Sequence, residues 1–229
     1  MNLAPRLKKI IDFLNLPTKV ADIGTDHAYI PIHLAQESNC SVIIASDCNE
    51  EPYRAAKTHI QDAGVEEIVN LRLGSGLSVL EKKEVDTIII AGMGGAAIRE
   101  IIAADYELSQ ELEQLVLQPM AGAASLRKWL VDNKFKLTDE ALVNHATKES
   151  FYQILSVKPG LMKVEDEFLL EIGPKLIEDP SDLLDDYLNY LEKSWQRIKE
   201  EITANAPKHP KIKILEDRLK RLEEVKEWL

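Results

Sequence analysis

The feature that most restricts the fold of this chain is an alternation. Between about residues 19 and 158, short runs rich in Val and Ile are separated by stretches with helical spacing. "KVADI" (19–23), "SVIIAS" (41–46), "IVNLRL" (68–73), "VDTIIIA" (85–91) and "QLVLQ" (114–118) read as strands. A run such as "TIIIA" does not alternate apolar with polar. Both of its faces must therefore be covered, which is the condition of a central strand in a parallel sheet. Helical patterns occupy 28–37, 50–63, 95–104 and 123–133. Strand alternating with helix implies right-handed crossovers and a doubly wound, mostly parallel α/β sheet. "FKLTDEALVNH" and "SFYQILSVK" then follow with no helix between them, joined near "ATKE". They predict a closing antiparallel pair that adds one reversed strand. A helix over 3–14, with Leu3, Leu7, Ile10, Ile11 and Leu14 on one face, is expected to cap the sheet.

After Pro159-Gly160 the pattern changes. Residues 182–203 place Leu184, Leu188, Leu191, Trp195, Ile198 and Ile202 at alternating spacings of four and three, and 211–229 repeat this with Ile212, Leu215, Leu219, Leu222 and Leu229. The linker "NAPKHP" carries prolines that cannot continue a helix. Two a/d-patterned helices around a breaker predict an antiparallel coiled-coil hairpin with a basic tip, "PKHPKIK". The expected organisation is a domain over 1–160 and a helical hairpin over 161–229.

The net charge of −11 argues against nucleic acid if taken alone. Local fields matter more than the sum. Residues 205–221 hold six Lys or Arg against two acids, the N-terminal segment offers Arg6, Lys8 and Lys9, and 127–136 offers Arg127, Lys128, Lys134 and Lys136. Each patch is read either as a phosphate contact or as a solvated helix face. Cys40 and Cys48 form neither a secreted disulfide framework nor a zinc motif. With no apolar run of transmembrane length and no signal-peptide core, a cytoplasmic monomer without a metal is expected.

In an open, Rossmann-like sheet, ligands bind outside the carboxyl ends of the strands. Those ends read "DIGTDHAY", "SDCNEEPY", "RLGSGL", "AGMGGAAI" and "QPMAGA". The first has one glycine where a dinucleotide turn needs three, and it adds Asp26 and His27. A carboxylate beside a pyrophosphate costs Coulomb energy. S-adenosylmethionine has no phosphate and carries an ammonium and a sulfonium, so Asp22 and Asp26 suit its amino-acid end while Gly24 allows close backbone approach. Asp47, followed by Cys48 and Asn49, closes the second strand at the distance where an acid accepts ribose hydroxyls. Gly74, Ser75 and Gly76 would meet the adenine edge; Gly92, Met93 and Gly94 would lie near the methyl donor. The alternative for these glycines is plain turn structure.

"ADIGTDHAYIPIHL", "NEEPYRAA", "RLGSGL", "VDTIIIAGMGG", "LQPM" with "LRKWL", and "ESFYQILSV" resemble, in order and spacing, the bacterial tRNA (adenine-22-N1)-methyltransferases of TrmK type. The resemblance spans about residues 3–160, and the hairpin beyond is similar to that family's architecture. It implies S-adenosyl-L-methionine as donor and N1 of a tRNA adenine in the D-arm region as acceptor. The family commonly has an acid where this chain has Ser75, and often Asn where it has Met120. Gln118 and the Pro119 carbonyl are then the groups left to orient the target base.

Adenine N1 lies on the pairing edge, so the base must be exposed, as in extrusion into a pocket. His27, Tyr29 and Asp26 are the candidate catalytic residues. Tyr29 would stack on the base or face the cationic methyl group. His27 would hydrogen-bond the base or take a proton. Asp26 would hold the cofactor or relay a proton. The alternatives are a helix-start residue bonding a loop carbonyl for His27 and core packing for Tyr29. His33 and His59 are read as structural or surface residues, and His145 shows no partner. Two rival functions remain open on sequence: a methyltransferase for a small molecule, and a non-catalytic RNA- or protein-binding module.

Overall fold

The computed structural model describes residues 3–145 and 150–229. Strands β1 (Lys19–Ile23), β2 (Val42–Asp47), β3 (Val69–Leu73), β4 (Thr87–Met93), β5 (Gln114–Pro119), β6 (Phe135–Asn144) and β7 (Phe151–Pro159) form one sheet in the order β3-β2-β1-β4-β5-β7-β6. The neighbouring pairs from β3 to β5 are parallel, and β7 runs antiparallel to both β5 and β6. This is the mostly parallel sheet with one reversed strand that the residue pattern predicts. The expected β6–β7 connection at "ATKE" lies outside the described residues.

The run of isoleucines in β4 explains itself once both faces are seen. Ile88 and Ile90 enter one apolar core, Ile89 the other, and all of them are fully buried. Helices α1 (Pro5–Asp12), α2 (Tyr29–Glu37) and α3 (Glu50–Asp62) cover the Ile89 face through Ile10, Ile32 and Ile60. Helices α4 (Gly95–Ala104) and α6 (Ala123–Asp132) cover the other through Ile98 and Leu130, with the short α5 (Tyr106–Ser109) between them in sequence. Helix α4 sits so close to the loop before α6 that a Cβ on Gly95 would come within 2.7 Å of the Gly122 carbonyl oxygen, whereas one on Gly94 would meet nothing within 4 Å. Gly95→Ala is therefore expected to cost about 1–3 kcal/mol. Thermal melting should show the loss, with Gly94→Ala as the control that melts like the parent.

Beyond the sheet, α7 (Leu169–Ile172) and α8 (Pro174–Glu178) lead into α9 (Leu184–Asn205) and α10 (Lys211–Trp228), which pair as the predicted hairpin. Leu188, Trp195, Leu215 and Leu222 are buried along the seam. Leu229 is not: it lies past the last turn of α10 and is exposed, and the last buried seam position is Val225. Arg218 pairs with Glu171 and Arg221 with Asp166, tying α10 back toward α7. The lysines of the tip, Lys208, Lys211 and Lys213, are exposed. No helix among the described residues is long and apolar enough to cross a membrane.

The expected phosphate contact at Arg127 is corrected by the structure. Arg127 is 0% exposed. Its Nε donates to Glu140 Oε1 at 2.5 Å, its Nη2 to Gln153 at 2.6 Å and its Nη1 to the Leu170 carbonyl at 3.3 Å. Glu140 Oε2 in turn accepts the Lys175 backbone N–H at 3.0 Å. A buried guanidinium must be paired, and here the pairing bolts α7 and α8 onto β6 and β7. Neighbouring Lys128 is exposed but lies within ion-pair distance of Asp132 and Glu167.

Candidate active site

Strand order reverses between β1 and β4, and a cavity of about 740 Å³ opens there at the carboxyl ends of the strands. Its walls come from the end of β1 (Asp22, Gly24, Thr25, Asp26, His27), the start of α2 (Tyr29, Ile30), the end of β2 (Asp47, Cys48, Asn49), the end of β4 (Ala91, Gly92, Met93) and the N-terminal segment (Leu3, Ala4, Arg6, Leu7). Gly74, Ser75, Gly76 and Gly94 are not among the lining residues. The Gly74 loop nevertheless stays against the site, because the Gly74 N–H donates to the Asp47 carbonyl at 2.9 Å. Among the described residues, no group of His, Cys, Asp or Glu could hold a metal ion.

The β1 turn cannot serve as a phosphate nest. Its Gly24 and Thr25 N–H groups both donate to the Ser46 carbonyl at 2.8 Å, so they are spent on β2. The ends of β1 and β2 present carboxylates to the cavity instead, Asp22, Asp26 and Asp47. Asp22 is only 6% exposed and its Oδ2 accepts the Thr25 hydroxyl at 2.7 Å. Burial pushes its carboxyl up to about 6, the Thr25 bond and the nearby Arg6 charge opposing the rise. Asp47 is fixed by the Asn49 N–H at 2.9 Å on Oδ1 and the Asp26 N–H at 3.4 Å on Oδ2. Each carboxylate keeps accepting capacity for a ligand's donors. This set of acceptors fits S-adenosylmethionine, a cationic and phosphate-free cofactor, and opposes a dinucleotide.

The turn also stores strain. Gly24 has φ +74°, and Asp26 and Ala28 have φ +53° and +56°. For Ala28, which has no side-chain acceptor to compensate, that left-handed conformation costs about 1–2 kcal/mol. The strain sets out His27 and Tyr29 on the cavity side. Tyr29 is 39% exposed and not packed in the core, which removes the structural alternative for it. The His27 ring stacks on Tyr29 at 5.3 Å between centroids. Its Nε2 lies 3.7 Å from Asp26 Oδ2, while its Nδ1 is buried with no hydrogen-bond partner, so His27 does not bond a loop carbonyl.

His59, read from sequence as a structural or surface residue of a helix, is structural, and it packs against the site. It stacks on His27 at 5.1 Å and on Tyr29 at 5.7 Å, and its Nδ1 lies 3.1 Å from the His27 carbonyl oxygen. His145, for which no partner was expected, stacks on Tyr152 at 4.9 Å.

Gln118 is corrected too. It is 0% exposed, with its amide fully engaged. The β4–β5 register shifts between Ala91 and Met93, and this bulge takes the Gly92 N–H out of the ladder. Gln118 Oε1 accepts that N–H at 3.2 Å and Arg6 Nη1 at 2.5 Å, and Nε2 donates to the Pro119 carbonyl at 3.1 Å. Gln118 thus repairs a backbone irregularity and anchors α1, and it has no free edge for a base. Arg6, which the sequence offered only as part of a basic patch, lines the cavity with its guanidinium over the Tyr152 ring.

A family model described as a methyltransferase domain matches residues 3–155. The tRNA (adenine(22)-N(1))-methyltransferase of Bacillus subtilis is 29% identical, the match covering 98% of this chain and 97% of its own. The crystal structure of B. subtilis TrmK superposes with a TM-score of 0.85 at 29% identity, covering 98% of each chain. Streptococcus pneumoniae Sp1610, solved in complex with S-adenosyl-L-methionine, gives a TM-score of 0.83 at 30% identity, covering 98% of this chain and 99% of its own.

Proposed function

We propose, from the premise that this chain belongs to the methyltransferase-domain family and within it to the bacterial tRNA (adenine-22-N1)-methyltransferases of TrmK type, that it transfers the methyl group of S-adenosyl-L-methionine to N1 of the corresponding adenine in tRNA. The observation that carries the reading is the cavity at the switch point: its turn N–H groups are spent on Ser46, and Asp22, Asp26 and Asp47 face it instead. Bound there, the cofactor supplies a methyl group already activated on a sulfonium, so positioning is the larger part of the protein's task. Asp22 and Asp26 hold the cationic amino-acid end, and Asp47 accepts the ribose hydroxyls. Cys48 and Asn49 flank the adenosine, with the Gly74-Ser75-Gly76 loop behind them through its bond to the Asp47 carbonyl, while Gly92 and Met93 bound the methyl side. Tyr29 and His27 receive the extruded adenine, and Asp26 or His27 offers the acceptor that its developing positive charge requires.

The methyltransferase domain takes residues 1–160 in this reading, and the hairpin takes 161–229. The exposed tip lysines give the tRNA sequence-independent phosphate contacts. Such contacts make binding fall with salt, and replacing Lys208, Lys211 and Lys213 by Ala should flatten that dependence. A tRNA substrate supports the reading of a cytoplasmic protein; the reading also takes it to act as a monomer, which light scattering of the protein with and without tRNA can check.

The test combines protein, S-adenosyl-L-methionine and unmodified tRNA and maps reverse-transcription stops. N1 methylation blocks the pairing edge, so one new stop at a single adenine is expected. His27→Ala and Tyr29→Ala should each weaken the stop at saturating tRNA. No stop and no methyl incorporation with the parent protein would sink the reading; full stops with both variants would remove the pocket assignment alone.

A further inference from the structure

The geometry points to His59 as a positioning residue for methyl transfer, one that holds the acceptor-side turn in its working shape from a different helix. This rests on the reading of His27 and Tyr29 as the groups that receive the base. His27 lies between two residues in the left-handed region, Asp26 and Ala28, a backbone course that relaxes unless something fixes it. Within the turn, the Ala28 N–H donates to the Thr25 carbonyl at 3.0 Å, which holds one edge of the His27–Ala28 peptide plane and leaves its other edge, the His27 carbonyl, to a partner outside the turn. Among the described residues, the side chain that bonds the His27 backbone from outside the turn is His59 of α3, at 3.1 Å.

A carbonyl oxygen can only accept, so His59 Nδ1 carries the proton. In the neutral ring Nε2 is then the acceptor; in the cation both nitrogens donate. The bond to His27 survives either way, so the clamp does not depend on the charge of His59. The ring contributes as well. The His27 Nδ1 has no partner, and its Nε2 lies 3.7 Å from the Asp26 carboxylate, so no strong hydrogen bond orients that imidazole. Its orientation comes from the faces of Tyr29 and His59, each within 5.3 Å of it between centroids. His59 thus fixes both the backbone and the ring of a residue placed at the reacting base, without lining the cavity itself.

The experiment uses the full chain with S-adenosyl-L-methionine and unmodified tRNA. His59→Phe keeps a ring and removes the donor. His59→Asn removes the ring but leaves an amide N–H close to where Nδ1 stood. Single-turnover methylation by His59→Phe should fall about tenfold or more, since a displacement of about 1 Å at the reacting groups is costly. Cofactor Kd, tRNA Kd and melting temperature should stay at parent values, because Asp22, Asp47 and the sheet are untouched and the Asp26 backbone is held by Asp47 Oδ2 at 3.4 Å, not by His59. His59→Asn should recover much of the rate. The proposal is overturned if His59→Phe methylates like the parent, if Asn does no better than Phe, or if the lost rate is matched by lost cofactor binding or a lowered melting temperature. A parent protein that does not methylate tRNA at all would instead remove the proposed function, and this inference with it.

Discussion

Arg127→Met is expected to destabilise the protein by about 3–5 kcal/mol, because it leaves the Glu140 carboxylate buried without its counter-charge. For a chain of this size that lowers the melting temperature by roughly 10 °C. The double change Arg127→Met with Glu140→Gln should recover part of the loss. The amide carries no charge, yet its oxygen still accepts the Lys175 N–H that Glu140 Oε2 holds at 3.0 Å. Urea denaturation of the parent, both single variants and the pair checks this, and a double variant no more stable than Arg127→Met refutes it. The effect should reach the hairpin. Arg127 bonds the Leu170 carbonyl, and a Cβ on Gly173 would already sit 2.9 Å from its Nη2, so α7 and α8 are packed onto this one guanidinium.

Asp22→Asn should act in two directions at once. The unfolded chain releases this proton near the ordinary value of 3.8 and the folded chain near 6. Between those values the native state binds more protons, so its stability falls as pH rises. Above about 6 the cost is complete, and a shift of this size corresponds to about 3 kcal/mol. Asparagine keeps an oxygen for the Thr25 hydroxyl and removes the buried charge, so the variant should melt higher than the parent at neutral pH. It should also bind S-adenosyl-L-methionine more weakly, since the cation loses its partner: a loss of about 2 kcal/mol raises Kd roughly thirtyfold. In the parent, cofactor Kd should rise as pH drops below about 6, where the carboxyl takes its proton; in Asp22→Asn that dependence should vanish. Calorimetric titrations across this pH range decide it. Equal cofactor affinity in parent and variant would remove Asp22 from the binding site.

Much of the fold is legible in the residues because a parallel sheet writes itself locally. A strand covered on both faces needs an unbroken apolar run, and "TIIIA" has no other economical use. The same locality exposes the cofactor side of the cavity. Asp22, Gly24, Asp26 and Asp47 follow directly on strand ends, and the topology of alternating strands and helices delivers strand ends to a common edge. Small errors fall where local pattern outruns real packing, as at Leu229, which continues the heptad after the helix supporting it has ended.

What only the tertiary structure decides is the work done by polar side chains between distant segments. Arg127 and Lys128 are neighbours with the same charge in one basic stretch, yet one is sealed inside with Glu140, Gln153 and the Leu170 carbonyl and the other faces water. Gln118 reads as a base contact until a bulge in β4 and an arginine 112 residues away claim its oxygen. His59 reads as a structural or surface residue of a helix, and only the closed chain shows that its ring meets Tyr29 and His27, the latter 32 residues away. Apolar burial repeats with the period of the helix or strand and so marks the sequence. A hydrogen bond is a single short-range contact, directional and without period, and its partner is known only when the chain has closed on itself.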